Sequence, residues 1–72
     1  MSDYESLNRH AQDLKDGKTT PGDYGAFSTG QQLYIALAAS NIEMLEKNGY
    51  TIPHAISRLG PTWLKGLLQH WG

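Results

Sequence analysis

The sequence predicts an all-α fold, a compact single-domain bundle of four to five short helices with no sheet. Three observations predict it. Residues that cap helices recur along the chain, at Ser2, Thr20, Ser28, Ser40 and Thr51. Between them, apolar residues return at spacings of three and four, the period of a helix face. No run alternates apolar and polar positions with β-branched residues, so nothing reads as a strand.

The first helix is expected over residues 3–16. Ser2 and Glu5 have capping-box spacing, in which a hydroxyl accepts from a backbone amide and a glutamate three residues on reaches back. Tyr4, Leu7, Ala11 and Leu14 then form one apolar stripe, and Gly17 suits the stop. Thr20-Pro21-Gly22-Asp23 starts a short second element, about 21–27, that pins Tyr24 and Phe27 against the core. Ser28 with Gln31, or Thr29 with Gln32, opens a third helix, about 30–39. Its run Leu33-Tyr34-Ile35-Ala36-Leu37-Ala38-Ala39 is apolar on nearly every face. A helix of that kind is buried, and its alanines let neighbours approach, so it is the expected centre of the fold.

Ser40 and Glu43 mark a fourth start, for a helix over 42–47 that Asn48-Gly49 ends. Thr51 caps a fifth, 52–59, with Ile52, Ala55, Ile56 and Leu59 on one face. Gly60-Pro61 interrupts it, and Pro61 opens the last helix, 61–71. Residues 17–23 read as the most mobile part.

With 72 residues the chain has room for one domain. A domain of this size buries only about 60 % of its unfolded surface, so it depends on dense helix packing or a partner. The absence of cysteine excludes disulfides, a thiol nucleophile and cysteine-ligated metals. The acidic start, Asp3 and Glu5, does not resemble a signal peptide, and the longest apolar run, Leu33 to Ala39, falls far short of a membrane span. The expectation is a soluble, cytoplasmic protein. Residues 1–23 hold five acids against three bases, and residues 24–72 two acids against three bases. Neither part has the basic field of a nucleic-acid binder.

Reactive chemistry is sought and not found. His10, His54 and His70 fall on three different elements. His10 and Asp13 can offer two metal ligands from one helix face, but such a pair is ordinarily surface polarity. The serines are explained mostly as caps, none lies in a glycine-rich elbow, and no phosphate loop is present. No catalytic, cofactor-binding or metal residue is expected, and the chain reads as non-enzymatic. A helix-turn-helix built from 52–59 and 61–71 is the best nucleic-acid reading. Its outward positions Thr62, Lys65, Gly66, Gln69 and His70 carry one lysine, and Arg58 can add one contact. That is poor for a helix set among phosphates.

The strongest functional signal is an excess of apolar surface on the last helix. Trp63, Leu67 and Trp71 form one stripe, and Leu64 and Leu68 a second beside it. One packing contact needs only one of them. Either both stripes pack within the bundle, or one binds another protein, with Tyr24, Tyr34 and Tyr50 as possible extensions. A second candidate surface is acidic: Asp3, Glu5, Asp13, Asp16 and Asp23. It would steer a basic partner rather than supply affinity. The resulting expectation is a protein-binding module or homodimer, an adaptor or inhibitor of a larger protein. The analogy is with small phage or prophage accessory proteins. The alternatives are a DNA-binding regulator and a stabilising subunit of a larger enzyme.

Overall fold

Helix α1 spans Asp3–Lys15, and its stripe buries Leu7, Ala11 and Leu14. These and all later observations come from a computed structural model that describes residues 3–72. The Ser2 half of the expected Ser2–Glu5 capping box lies outside the described residues, as does the side chain of Asp3. A 3-10 turn follows at Pro21–Tyr24, then α2 (Thr29–Ala38), α3 (Ile42–Lys47), α4 (Ile52–Leu59) and α5 (Pro61–Trp71). No strand occurs among the described residues.

Helix α2 is the axis of the bundle. Leu33, Tyr34, Ile35 and Ala36 are all fully buried, and the helix packs against α1, α3, α4 and α5. Four consecutive buried residues cover the whole circumference, which requires neighbours on every side. Its start is the Ser28–Gln31 capping box: the Ser28 hydroxyl accepts from the Gln31 amide, and the Gln31 side chain accepts from the Ser28 amide. The radius of gyration is 10.9 Å, matching the roughly 11 Å of a fully compacted chain of this length.

The 3-10 turn is held at its start by the Asp23 carboxylate, which accepts from the Thr20 backbone amide at 2.8 Å, and by the Asp23 amide, which donates to the Thr20 carbonyl at 3.0 Å. This places Tyr24 in the core, where its ring meets His10 and Phe27 edge-on at 5.3 and 5.2 Å. The Tyr24 hydroxyl lies 2.7 Å from the Thr19 hydroxyl and 3.1 Å from the His10 carbonyl. The turn thereby fastens the loop after α1 back onto that helix.

Three helices end in the same way. After α1, the Lys18 amide donates to the Asp13 carbonyl and the Gly17 amide to the Leu14 carbonyl. After α3, Tyr50 and Gly49 make the equivalent bonds to Leu45 and Glu46. After α2, Asn41 and Ser40 make them to Ala36 and Leu37. This crossed pair satisfies the last carbonyls only if the residue past the cap is left-handed. Gly17 and Gly49 adopt that conformation at φ 78, and Ser40 adopts it at φ 55. Ser40 therefore ends α2 and does not cap α3, contrary to the sequence expectation. The cap is Asn41, whose side chain accepts from the Met44 amide at 2.9 Å.

Helix α4 buries only part of its apolar face. Ala55 and Leu59 are enclosed, while Ile52 and Ile56 are 46 % and 37 % exposed. Two turns of helix packed on one edge cannot bury a stripe that wide.

Candidate functional site

The last helix turns one of its two apolar stripes inward. Leu67 is 8 % exposed and belongs to the core. Trp63 is half-buried and sets its ring edge-on to Tyr4 and Tyr34, each at 6.0 Å. Trp71 is half-buried too, with its indole Nε1 donating to Asn8 Oδ1 at 2.8 Å and the Lys15 ammonium 5.8 Å from its ring. Both indoles are thus engaged within the chain.

The second stripe is divided between core and surface. Leu64 is half-buried against the core, and Leu68 is 59 % exposed. Leu68 lines two open hollows. The larger, about 470 Å³, is lined by Pro61, Leu64, Lys65, Leu68 and Gln69. The smaller, about 180 Å³, lies where α5 meets the end of α2, with Leu37, Ala38, Leu67 and Trp71 in its walls. Of the tyrosines named as extensions, Tyr24 and Tyr34 are buried in the core. Tyr50 is half-buried with its ring against His54 at 4.7 Å.

Of the acidic residues, Asp23 and Asp16 make hydrogen bonds within their own segments. Asp23 is used in the 3-10 turn, and Asp16 Oδ1 accepts from the Gln12 side-chain Nε2 at 3.0 Å. Glu5 and Asp13 line an open hollow of about 460 Å³ that also holds Arg9 and His70. His10, offered as a metal ligand with Asp13, packs its ring against Tyr24 and Phe27. Among the described residues, no three His, Asp or Glu side chains come together in a metal-binding group.

Asn8 is the residue that sequence reasoning missed. Its Oδ1 accepts from the Tyr34 hydroxyl at 2.6 Å as well as from Trp71, so one carboxamide joins α1, α2 and α5. A signal was present: Asn8 lies four residues after Tyr4 and three before Ala11, inside the apolar stripe of α1. A polar group there needs a partner on another helix. Burial holds the Tyr34 hydroxyl above the usual phenol range, and Tyr4 beside it pushes the same way. The polar groups of Asn8 and Trp71 pull in the opposite direction. Tyr34 accordingly remains a proton donor at neutral pH. Next to this clasp, Gly66 lets α5 approach α1: a Cβ at that position would lie 2.9 Å from the Tyr4 ring. The Tyr4 hydroxyl donates to the Thr62 carbonyl across the same contact.

The geometry therefore separates α5 into an inner face, locked by Leu67, both indoles and Asn8, and an outer face centred on Leu68. No protein-family model matches the chain, and no curated protein or solved structure matches it. No helix among the described residues is long and apolar enough to cross a membrane.

Proposed function

We propose that the protein is a non-enzymatic helical module that binds another protein through the outer face of α5 and the adjoining end of α2. The observation that carries this reading is Leu68, a large aliphatic side chain 59 % exposed that lines two open hollows, the larger of them apolar. Burying it would contribute about 1–2 kcal/mol of binding free energy, and the flanking hollows offer pockets in which a partner's side chains become desolvated. Leu64 deepens the larger hollow and is the second contact residue. Within this reading, the protein acts as an adaptor or inhibitor of a larger protein.

The test compares Leu68→Glu with the unchanged chain. A photo-crosslinking residue at Gln69 should form an adduct with one protein in the native host, and the same residue at the exposed Ser57 on α4 should not. Leu68→Glu should abolish the adduct while leaving the helical circular dichroism unchanged. Adducts that survive Leu68→Glu, or that form equally from Ser57, would remove the reading.

A further inference from the structure

We propose that Asn48–Gly49 is a deamidation site that the folded chain holds closed through Gln32, and whose conversion irreversibly releases the end of α3 from α2.

The chemistry starts from the sequence. The backbone nitrogen that follows an asparagine can attack that residue's own side-chain carboxamide carbon. Of the three asparagines, Asn8 precedes Arg9, Asn41 precedes the β-branched Ile42, and Asn48 precedes Gly49. Glycine has no Cβ to crowd the attack and gives the backbone freedom to bend into it. The Gly49 nitrogen loses its proton to water and bonds to Asn48 Cγ. The Cγ–Nδ2 bond breaks, and Nδ2 takes up a proton and leaves as ammonia, closing a cyclic imide. Water then opens the imide. Cleavage between Cγ and the Gly49 nitrogen gives aspartate. Cleavage between that nitrogen and the backbone carbonyl carbon gives isoaspartate, with the chain running through the side chain.

The folded structure blocks the attack in three ways. The ψ angle of Asn48 is 0, so the Gly49 nitrogen eclipses the nitrogen of Asn48 itself. Cβ lies roughly a third of a turn away about the same bond, and ring closure needs the attacking nitrogen beside it. The Gly49 N–H is engaged by the Glu46 carbonyl at 2.9 Å, and the Tyr50 amide holds the same turn through the Leu45 carbonyl at 2.9 Å. The carboxamide is tethered too: Nδ2 donates to the Met44 carbonyl at 2.9 Å and to Gln32 Oε1 at 3.1 Å. Gln32 is itself fixed, because its Nε2 donates to the Phe27 carbonyl at 2.9 Å. A relay of hydrogen bonds thus runs from the start of α2, through Gln32 and Asn48, into α3.

Helix α3 has six residues, and a helix that short opens from its ends. Unwinding of its last turn frees the carboxamide and the Gly49 nitrogen together. Conversion then replaces a donor with a carboxylate. Aspartate at this position faces two acceptors, Gln32 Oε1 and the Met44 carbonyl, at the negative end of the α3 dipole. The closed arrangement cannot re-form, so the step runs one way.

The experiment holds the full chain at mildly alkaline pH, with and without urea, and follows residue 48 by proteolysis, chromatography and mass spectrometry. These separate the amide, aspartate and isoaspartate peptides. The folded chain should deamidate at least about tenfold more slowly than the chain in urea, as expected if the end of α3 is open less than about a tenth of the time. Gln32→Ala should speed the folded reaction about three- to tenfold, the effect of one lost hydrogen bond on a local opening. Tyr34→Phe, which weakens the bundle at α1 and α5 instead, should not speed it. Asn48→Asp should melt below Asn48→Ala, and the gap should narrow as acid protonates the carboxylate. Absence of product in urea removes the site. Equal rates with and without urea, or indifference to Gln32→Ala, remove the closure by Gln32. Equal acceleration by Tyr34→Phe assigns the exposure to global unfolding and overturns a local opening. An Asn48→Asp chain that melts at or above Asn48→Ala overturns the release of α3.

Discussion

Replacing Asn8 with alanine should destabilise the protein far more than its position on a half-buried helix face implies. The substitution deprives two donors at once. The Tyr34 hydroxyl belongs to a side chain that is 0 % exposed, and Oδ1 is the acceptor it loses. Leaving such a buried donor unpaired costs about 1–3 kcal/mol. The Trp71 indole is half-buried, and loss of its bond costs about 1 kcal/mol. Alanine's better helix propensity returns about 0.5 kcal/mol. The net loss is about 1.5–3.5 kcal/mol, against a total stability of roughly 4–11 kcal/mol for a chain of this size. In thermal unfolding followed by circular dichroism, that corresponds to a drop in Tm of roughly 10–20 °C. Tyr34→Phe provides the complementary arm. If the clasp acts as a unit, Asn8→Ala in the Tyr34→Phe background costs less than in the unchanged chain, by at least about 0.5 kcal/mol. An Asn8→Ala loss below about 0.5 kcal/mol, or strict additivity of the pair, would refute the idea that one carboxamide holds three helices together.

Four further outcomes follow from the same geometry. Gly66→Ala should destabilise, because the new methyl lies 2.9 Å from the Tyr4 ring; in a Tyr4→Ala background it should instead stabilise by about 1 kcal/mol, and denaturant titration reads this change of sign. Ser40→Gly should stabilise by about 0.5–1 kcal/mol, since glycine adopts the left-handed conformation without strain; a loss would show that the serine side chain is needed there. Leu67→Ala should cost about 2–4 kcal/mol, whereas Leu68→Ala should stay within about 0.5 kcal/mol, separating the inner face of α5 from the outer one in a single urea series. The folded chain holds the Tyr34 proton more tightly than the unfolded chain does, so its contribution is fully present below the unfolded phenol value near ~10. It declines as pH rises through that value toward the raised one. Urea midpoints measured at rising alkaline pH should therefore fall less steeply for Tyr34→Phe.

The inner and outer stripes of α5 show where sequence pattern stops being informative. Periodicity places Trp63, Leu67 and Trp71 on one line and Leu64 and Leu68 on the next. It cannot say which line meets α2, because both are equally apolar. That choice depends on the angle at which α5 leaves Gly60 and on the close approach to Tyr4 that Gly66 permits. The same ambiguity applies to α4, where Ile52 and Ile56 complete a regular apolar face and yet remain exposed. Two serines in cap-like settings diverge for a local reason. Ser28 caps α2, whereas Ser40 is recruited to end the same helix, leaving Asn41 to begin the next. A tight helix-to-helix turn offers both roles within two residues, and backbone hydrogen bonding decides between them.

The all-helical class, the order of the helices and the central place of α2 follow from the sequence alone. Capping residues, the three-and-four spacing and an apolar run with no polar face are local properties, set by interactions within a few residues. Asn8 as a clasp, Ser40 as a left-handed stop and Leu68 as an exposed side chain were decided only in three dimensions. Each depends on groups far apart in the chain or on competition between adjacent turns. A helix face carries no record of its partner until that partner packs against it.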